Sequence, residues 1–173
     1  NKSLFFYRQH SESLSKNKKK ILIARSKIYK SITQNQKKFN CVAVIAVRGP
    51  KYDSNSNVFK KLKGKYLIDW TLKQIIKSSV KKIVIATPDM RVVDYIKRKN
   101  NTKKIAILIR SDSTAELNTP IDKIILESYK KYKFHDKKFD CLMSVSIEAP
   151  FRNHYDYDSM INVMKIFKTD SVV

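Results

Sequence analysis

Four short, continuously apolar runs, rich in Val and Ile, constrain the fold of this sequence more than any other feature. The runs are Cys41–Val47, Lys82–Thr87, Lys104–Ile109 and Asp140–Ser146. A strand that is apolar on both faces is typical of a parallel sheet covered by helices on each side. The four runs therefore predict four strands buried in the middle layer of an α/β domain.

Segments with helical periodicity follow these runs. Apolar residues recur at intervals of three and four in residues 68–76, 92–96, 121–132 and 160–167. This spacing places the apolar residues on one face of a helix. Alternating strands and helices predict a mostly parallel, twisted sheet with right-handed crossovers, in a three-layer α/β/α, Rossmann-like arrangement. Asp156 or Asp158 is the expected cap of the last helix.

Ligands of such sheets bind at the carboxyl ends of the strands, so the loops that follow the strands are the candidate sites. The first loop, residues 48–65, exceeds the 2–6 residues of a usual strand-to-helix connection. It offers Arg48, Lys51 and Lys65, with backbone amides near Gly49, and this composition predicts a cradle for a polyphosphate. The alternative is a mobile loop without a ligand. The Walker A pattern is absent.

The fourth loop places Glu148 four residues before Arg152. Mg²⁺ is commonly held by one or two carboxylates together with substrate phosphates, so this pair predicts a site for a metal ion and a phosphate. A surface ion pair between the two residues is the alternative. In the second loop, Asp89 is interpreted as a helix cap. The three His residues lie far apart and have no metal-ligand spacing.

Residues 1–39 differ from the rest because they hold eleven Lys or Arg and one acid, Glu12. We interpret them as a basic extension or linker, and residues 40–173 as one α/β domain. The net charge of +22 suggests an anionic partner, either nucleic acid or an acidic membrane, that would bind the basic segment. A coding bias toward Lys is the alternative explanation. Residues 21–24 form an apolar stretch that suits a short strand or a helix.

Cys41 and Cys141 each begin an apolar run, which favours small buried residues over a disulfide and fits a reducing, cytoplasmic setting. No apolar run approaches the length of a membrane span. The sequence lacks an initiator Met and ends on residues 171–173, which read as an unfinished strand. We therefore expect a piece of a longer protein.

A series of motifs in one order supports a family resemblance. The strand 42–47 is followed by Arg48-Gly49, and Leu62-Lys63-Gly64-Lys65 leads into a helix. Further matching positions are Ala86–Asp89, Arg110, Thr119, Asp122, Ser146–Arg152 and Thr169–Val173. In this order the segments resemble the cytidylyltransferases that act on sugar acids and make CMP-sialic acid and CMP-Kdo. The resemblance covers about 130 residues and implies a nucleotide-diphospho-sugar transferase-like fold that is incomplete at the C-terminus.

The resemblance also implies an activity, in which CMP is transferred from CTP to an acidic sugar and pyrophosphate is released. In this scheme Arg48 and Lys51 are catalytic residues that hold the triphosphate, and Glu148 binds Mg²⁺. The implied nucleotide-binding and sugar-binding residues are Gly49, Asn57, Lys65, Arg110, Ser146 and Arg152. A homodimer formed through a later portion of the protein is a further implication.

Two alternatives remain open at this stage. One is a nucleotidyltransferase of the same fold that acts on a neutral or phosphorylated sugar. The other is a catalytically lapsed domain that serves as a binding or scaffolding module, on RNA or a membrane surface. The phosphate loop motivates the second alternative, because Tyr52 stands where the family has its first Lys, and Ser56-Asn57 where it has an Arg-Lys pair.

Overall fold

The computed structural model describes residues 18–34, 39–100, 102–116, 118–132, 134 and 139–172. They fall into two compact units that divide between residues 38 and 39. The described part of the first unit is one helix, α1 (Lys18–Gln34), so the apolar stretch at residues 21–24 is helical. Among the described helices, none combines the length and the apolar character that a membrane span requires.

Helix α1 carries six Lys or Arg residues and no acid. Its large apolar side chains at Leu22, Ile23 and Ile28 are exposed. Binding of this basic segment to nucleic acid or an acidic membrane stays a prediction.

The second unit contains the remaining elements. In chain order they are β1 (Cys41–Ala46), β2 (Lys61–Leu62), β3 (Lys65–Tyr66), α2 (Leu67–Ile75), β4 (Lys82–Thr87), α3 (Met90–Lys99), β5 (Ile105–Ile109), α4 (Asp112–Ala115), α5 (Ile121–Lys131), β6 (Cys141–Ser144) and α6 (His154–Phe167). All four apolar runs are strands, as the sequence predicts, and β6 is shorter at both ends than the run that contains it.

The main sheet has the strand order β5-β4-β1-β6, and every neighbouring pair is parallel. From β1 the chain moves to β4 and then to β5 in one direction, and it then returns to the other side of β1 as β6. Right-handed crossovers place helices on opposite faces when the direction reverses. Buried residues of α2, α3 and α6 accordingly pack on one face of the sheet, and Ile124 of α5 packs on the other. The structure is therefore a three-layer α/β/α domain.

The long loop after β1 contains an ordered hairpin formed by β2 and β3. Its two turn residues, Lys63 and Gly64, have φ of 47° and 78°. Positive φ at both central residues is the requirement of a type I′ turn, which suits a two-residue hairpin. The indole Nε1 of Trp70 donates a 3.0 Å hydrogen bond to the carbonyl of Leu62 and ties the hairpin to α2.

The predicted cap of the last helix is wrong. Asn153 caps α6, because its side chain accepts a hydrogen bond from the Tyr155 N–H. The Asp156 carboxylate accepts a hydrogen bond from the Asn153 N–H and completes a capping box. Asp158 instead accepts hydrogen bonds from the N–H and the hydroxyl of Ser79, both at 2.7 Å. Asn153, Asp156 and Asp158 are all residue types that cap helices, so the sequence alone does not show which of them is the N-cap.

Candidate functional site

A cavity of about 280 Å³ lies at the carboxyl ends of β1, β5 and β6. Its lining residues come from the loops after these strands and from the start of α5, and they include Arg48, Asp53, Asn57, Arg110, Thr119, Ser146 and Glu148. We call this the switch-point cavity, because the strand order reverses between β1 and β6. Open α/β sheets bind their ligands at such reversals. Three of the four predicted loops therefore meet in one place.

Arg110 is the most unusual residue of the switch-point cavity. It follows β5, and its N–H donates a 3.0 Å hydrogen bond to the carbonyl of Thr87. The residue is only 4% exposed. Its Nε and Nη2 have no hydrogen-bond partner among the residues that the structure describes. A buried guanidinium without partners is costly, so this position is suited to an anionic ligand.

Arg48 adds a second guanidinium to the same cavity. Its Nη2 donates a 2.8 Å hydrogen bond to the carbonyl of Glu116, which holds the side chain across the space between the first and third loops. Burial, and then the charge of Arg48, lower the pKa of Arg110 from its ordinary value, while Glu127 opposes this shift. An anion that binds between the two guanidinium groups stabilises the charged form of Arg110.

Glu148 and Asn57 meet on the wall of the cavity. The Asn57 Nδ2 donates a 3.0 Å hydrogen bond to Oε1 of Glu148. The Glu148 N–H donates to the hydroxyl of Ser146 at 3.1 Å, so that all three predicted residues lie together. Among the described residues Glu148 forms no ion pair with Arg152, so the surface ion pair considered as the alternative is not present, and Glu148 contacts Asn57 instead.

Asp53 is a site residue that the sequence reasoning missed. It lines the same cavity as Glu148, and its Oδ1 accepts a 2.9 Å hydrogen bond from the Asn55 N–H. Mg²⁺ accepts one or two protein carboxylates with substrate phosphates and water, so Glu148 and Asp53 fit this ion. No group of three or more His, Cys, Asp or Glu residues suited to a metal exists in the described part of the chain.

Gly49 lies against Asp89, a carboxylate with 0% exposure. A Cβ atom on Gly49 would lie 2.0 Å from Oδ2 of Asp89, so only glycine fits. The same oxygen accepts a 3.0 Å hydrogen bond from the Lys51 N–H, and Oδ1 caps α3 through the Arg91 N–H at 2.9 Å. Asp89 is thus the helix cap that was predicted, and it also anchors the first loop.

The hydrogen bonds of Asp89 determine its charge. Burial alone would raise the pKa of this carboxyl, but hydrogen bonds from the Arg91 side chain and from the N–H groups of Lys51 and Arg91 lower it below its ordinary value. The Arg91 guanidinium lies 2.9 Å from Oδ2. The residue is therefore an ionised anchor at neutral pH.

Three predicted residues have side chains outside the switch-point cavity. The Lys51 Nζ lies 5.4 Å from the centre of the Tyr52 ring, and the Lys65 Nζ lies 5.3 Å from the centre of the Trp70 ring. Arg152 lines a different cavity, together with residues of β6 and α6. The structure therefore brings Arg48, Asn57, Arg110, Ser146 and Glu148 together and leaves these three cations elsewhere.

Comparison with known proteins identifies a shared fold. No protein-family profile matches this chain, and no curated protein matches it. CMP:2-keto-3-deoxy-manno-octonic acid synthetase, solved with CTP, is 17% identical with a TM-score of 0.54, over 72% of this chain and 47% of its own. The 4-diphosphocytidyl-2C-methyl-D-erythritol synthase of Anaerococcus prevotii is 15% identical with a TM-score of 0.54, over 73% and 51%.

A cytidylyltransferase from Leptospira borgpetersenii is 13% identical with a TM-score of 0.54, over 72% of this chain and 48% of its own. The chain thus spans about half the length of these structures. The predicted nucleotide-diphospho-sugar transferase-like fold is confirmed by these likenesses.

Proposed function

We propose that this chain is the nucleotide-binding part of an enzyme that transfers CMP from CTP to a sugar acid and releases pyrophosphate. One observation carries the proposal, namely the buried Arg110 beside Arg48 in the switch-point cavity, with two guanidinium nitrogens that lack partners among the described residues. Such a cavity is built for anions. A neighbour in fold that was solved with CTP supports a nucleotide as one of them.

The proposed reaction is the attack of a sugar hydroxyl on the α-phosphorus of CTP. A new phosphorus–oxygen bond forms, the bond to the β-phosphate oxygen breaks, and pyrophosphate leaves with the electron pair. This chemistry needs positioning and charge neutralisation more than covalent help. Arg48 neutralises the triphosphate, and Asp89 holds the loop after Arg48 in place by accepting a hydrogen bond from the Lys51 N–H. The Lys51 side chain reaches the phosphates only if it leaves the Tyr52 ring.

Mg²⁺ is the proposed metal, held by Glu148 and Asp53 together with phosphate oxygens. When bound, the ion supplies Lewis-acid neutralisation of phosphate charge. Asn57 orients Glu148 through its 3.0 Å hydrogen bond, and Ser146 positions the backbone of the same residue. These contacts leave the carboxylate on the cavity wall, where a triphosphate bound to Arg48 would meet it.

Arg110 is the proposed partner of the carboxylate that distinguishes a sugar acid from a neutral sugar. A guanidinium binds a carboxylate through two parallel hydrogen bonds, which gives direction as well as affinity. A neutral sugar lacks this carboxylate and would leave the buried guanidinium of Arg110 unpaired. Such a loss discriminates strongly between two substrates. Arg152, which lines another cavity, is not needed for this contact.

The first experiment is a thermal-shift titration of the chain with CTP, ATP and GTP, with and without Mg²⁺. A ligand at 100 times its Kd stabilises the folded state by about 2.7 kcal/mol. We expect selective stabilisation by CTP with Mg²⁺, and further stabilisation when sialic acid or Kdo is added. Arg110→Met should remove the response to the sugar acid, and Arg98→Met, at an exposed position on α3, is the matched control. Equal stabilisation by every polyanion contradicts the proposal.

The lapsed-domain alternative is less favoured. Its motive was the altered phosphate loop, and the side chains of Lys51 and Lys65 do lie on aromatic rings. However, five of the predicted residues converge on one cavity at the switch point. An unpaired buried guanidinium costs folding free energy, and a domain that serves only as a scaffold gains no ligand to offset that cost.

A further inference from the structure

A second cavity, of about 690 Å³, lies between the end of the sheet and α6. The protein has two Cys and four Met residues. Five of these six sulfur-containing residues line this one cavity, and they are Cys41, Cys141, Met143, Met160 and Met164. We call it the sulfur cavity. The sixth, Met90, is 49% exposed at the start of α3. This clustering places five sulfur-containing side chains around one space, where they could bind a common ligand.

The two cysteines are direct neighbours in the sheet. Cys41 of β1 is the register partner of Cys141 of β6, and neither takes part in a disulfide. Their side chains therefore lie on the same face of the sheet, on adjacent strands. Met143 follows Cys141 by two residues, so it lies on the same face of β6.

The strand spacing favours an ion between the two sulfurs over a direct bond. Register partners in a sheet lie about 4.8 Å apart, and their Cβ atoms point the same way when the strands are parallel. A disulfide needs Cβ atoms about 3.8 Å apart. A metal–thiolate bond is about 2.3 Å long, so one ion joins sulfurs separated by up to about 4.6 Å. The strand spacing therefore suits an ion between Cys41 and Cys141 better than a direct sulfur–sulfur bond.

We propose that the sulfur cavity binds one soft, monovalent metal ion, Cu(I), through the thiolates of Cys41 and Cys141. Thiolate and thioether ligands select Cu(I) over harder ions. Thioether sulfur from Met160 or Met164 on α6 completes the coordination. Each thiol loses its proton when the copper–sulfur bond forms, and the copper stays in its +1 state throughout.

Two thiolates and one Cu(I) carry a net charge of −1. Arg152, Asp156 and Asp170 line the same cavity, so its charged side chains are one cation and two acids. None of the proposed copper ligands lines the switch-point cavity, so the proposal does not rest on the proposed function.

The test is an anaerobic titration of the chain with Cu(I), supplied as its acetonitrile complex, in competition with the chelator bicinchoninate. We expect one copper per chain, release of protons, and a thiolate-to-copper charge-transfer band in the ultraviolet. Cys141→Ser should weaken Cu(I) binding at least tenfold. This residue is half-buried at the end of the sheet, so serine is tolerated there better than at the fully buried Cys41.

Methionine variants provide a readout that a folding defect does not produce. Met160→Leu and Met164→Leu conserve volume, which keeps the cost in stability small, and at least one of them should weaken Cu(I) binding several-fold. Met90→Leu is the control and should bind as the unchanged chain does. The proposal is overturned if bicinchoninate retains all the copper, if Cys141→Ser binds Cu(I) as tightly as the unchanged chain, or if Zn(II) displaces Cu(I) at equal concentration.

Discussion

Replacing Gly49 by Ala is expected to cost about 3 kcal/mol of folding free energy, because the new methyl group has nowhere to go. Its carbon would lie 2.0 Å from Oδ2 and 2.3 Å from Cβ of Asp89. Overpacking of this kind costs about 1–3 kcal/mol. Moving Asp89 aside also weakens the hydrogen bond from the Lys51 N–H, and a hydrogen bond to a charged group contributes about 1.5–3 kcal/mol. These terms overlap, so their full sum is not expected.

The assay is urea denaturation followed by circular dichroism, with Gly64→Ala as the matched control. Gly64 undergoes the same chemical change, but a Cβ there meets nothing within 4 Å and the only penalty is its φ of 78°. That backbone penalty is about 1–2 kcal/mol. The steric reasoning about Gly49 is refuted if Gly49→Ala costs no more than Gly64→Ala.

A double-mutant cycle separates the clash from other effects. Asp89→Gly removes the three atoms nearest to the new methyl group, so the double variant should be at least 1 kcal/mol more stable than the sum of the single variants implies. An additive result would show that the loop moves away from Asp89 without strain.

Three further predictions concern charge. Arg110→Met should leave the ligand-free protein at least as stable as before in urea denaturation, because a partnerless buried guanidinium is replaced by an apolar side chain. The lowered pKa of Asp89 means that its stabilising charge is present above the unfolded value of about 3.9 and is lost as pH falls through the folded pKa. Asp89→Asn should therefore lose stability at pH 7 and show less further loss than the unchanged protein below about pH 4, as followed by thermal melts. Glu148→Gln should reduce the dependence of CTP binding on Mg²⁺ in calorimetry. Glu116→Gln is the control, because Glu116 contacts the cavity residue Arg48 through its backbone carbonyl, which the substitution keeps.

The strands and the helical layers follow from the sequence because burial on both faces leaves a strong pattern. The runs that contain β1 and β4 are apolar at nearly every position, and their burial matches that pattern. The direction of the chain also predicts where ligands bind, since parallel strands bring their carboxyl ends to one edge. Arg48, Arg110 and Glu148 could therefore be placed at the site from their positions after strands.

The positions of the charged ends of long side chains could not be predicted from the sequence. Lys51 and Lys65 each have an aromatic residue close along the chain, and cation–π contacts take their ammonium groups away from the cavity. Arg152 follows β6 as Glu148 does, but turn residues lie between them, and Arg152 lines the second cavity. Asp53 was missed because a short acidic residue among Ser and Asn has the pattern of an ordinary turn.

The pairing of β1 with β6 joins residues 100 positions apart in the chain. The pairings of β1 with β4 and of β4 with β5 join residues that are closer together in the chain. Contacts of such long range form late in folding, because the entropy of closing the intervening chain must be overcome first. The same pairing borders both cavities, since Ser146 lies beyond its end and Cys141 begins it. Exchange of the β6 amides with solvent deuterium should therefore slow when either cavity is filled. Each ligand should then bind more tightly when the other is bound, although the two ligands are not in contact.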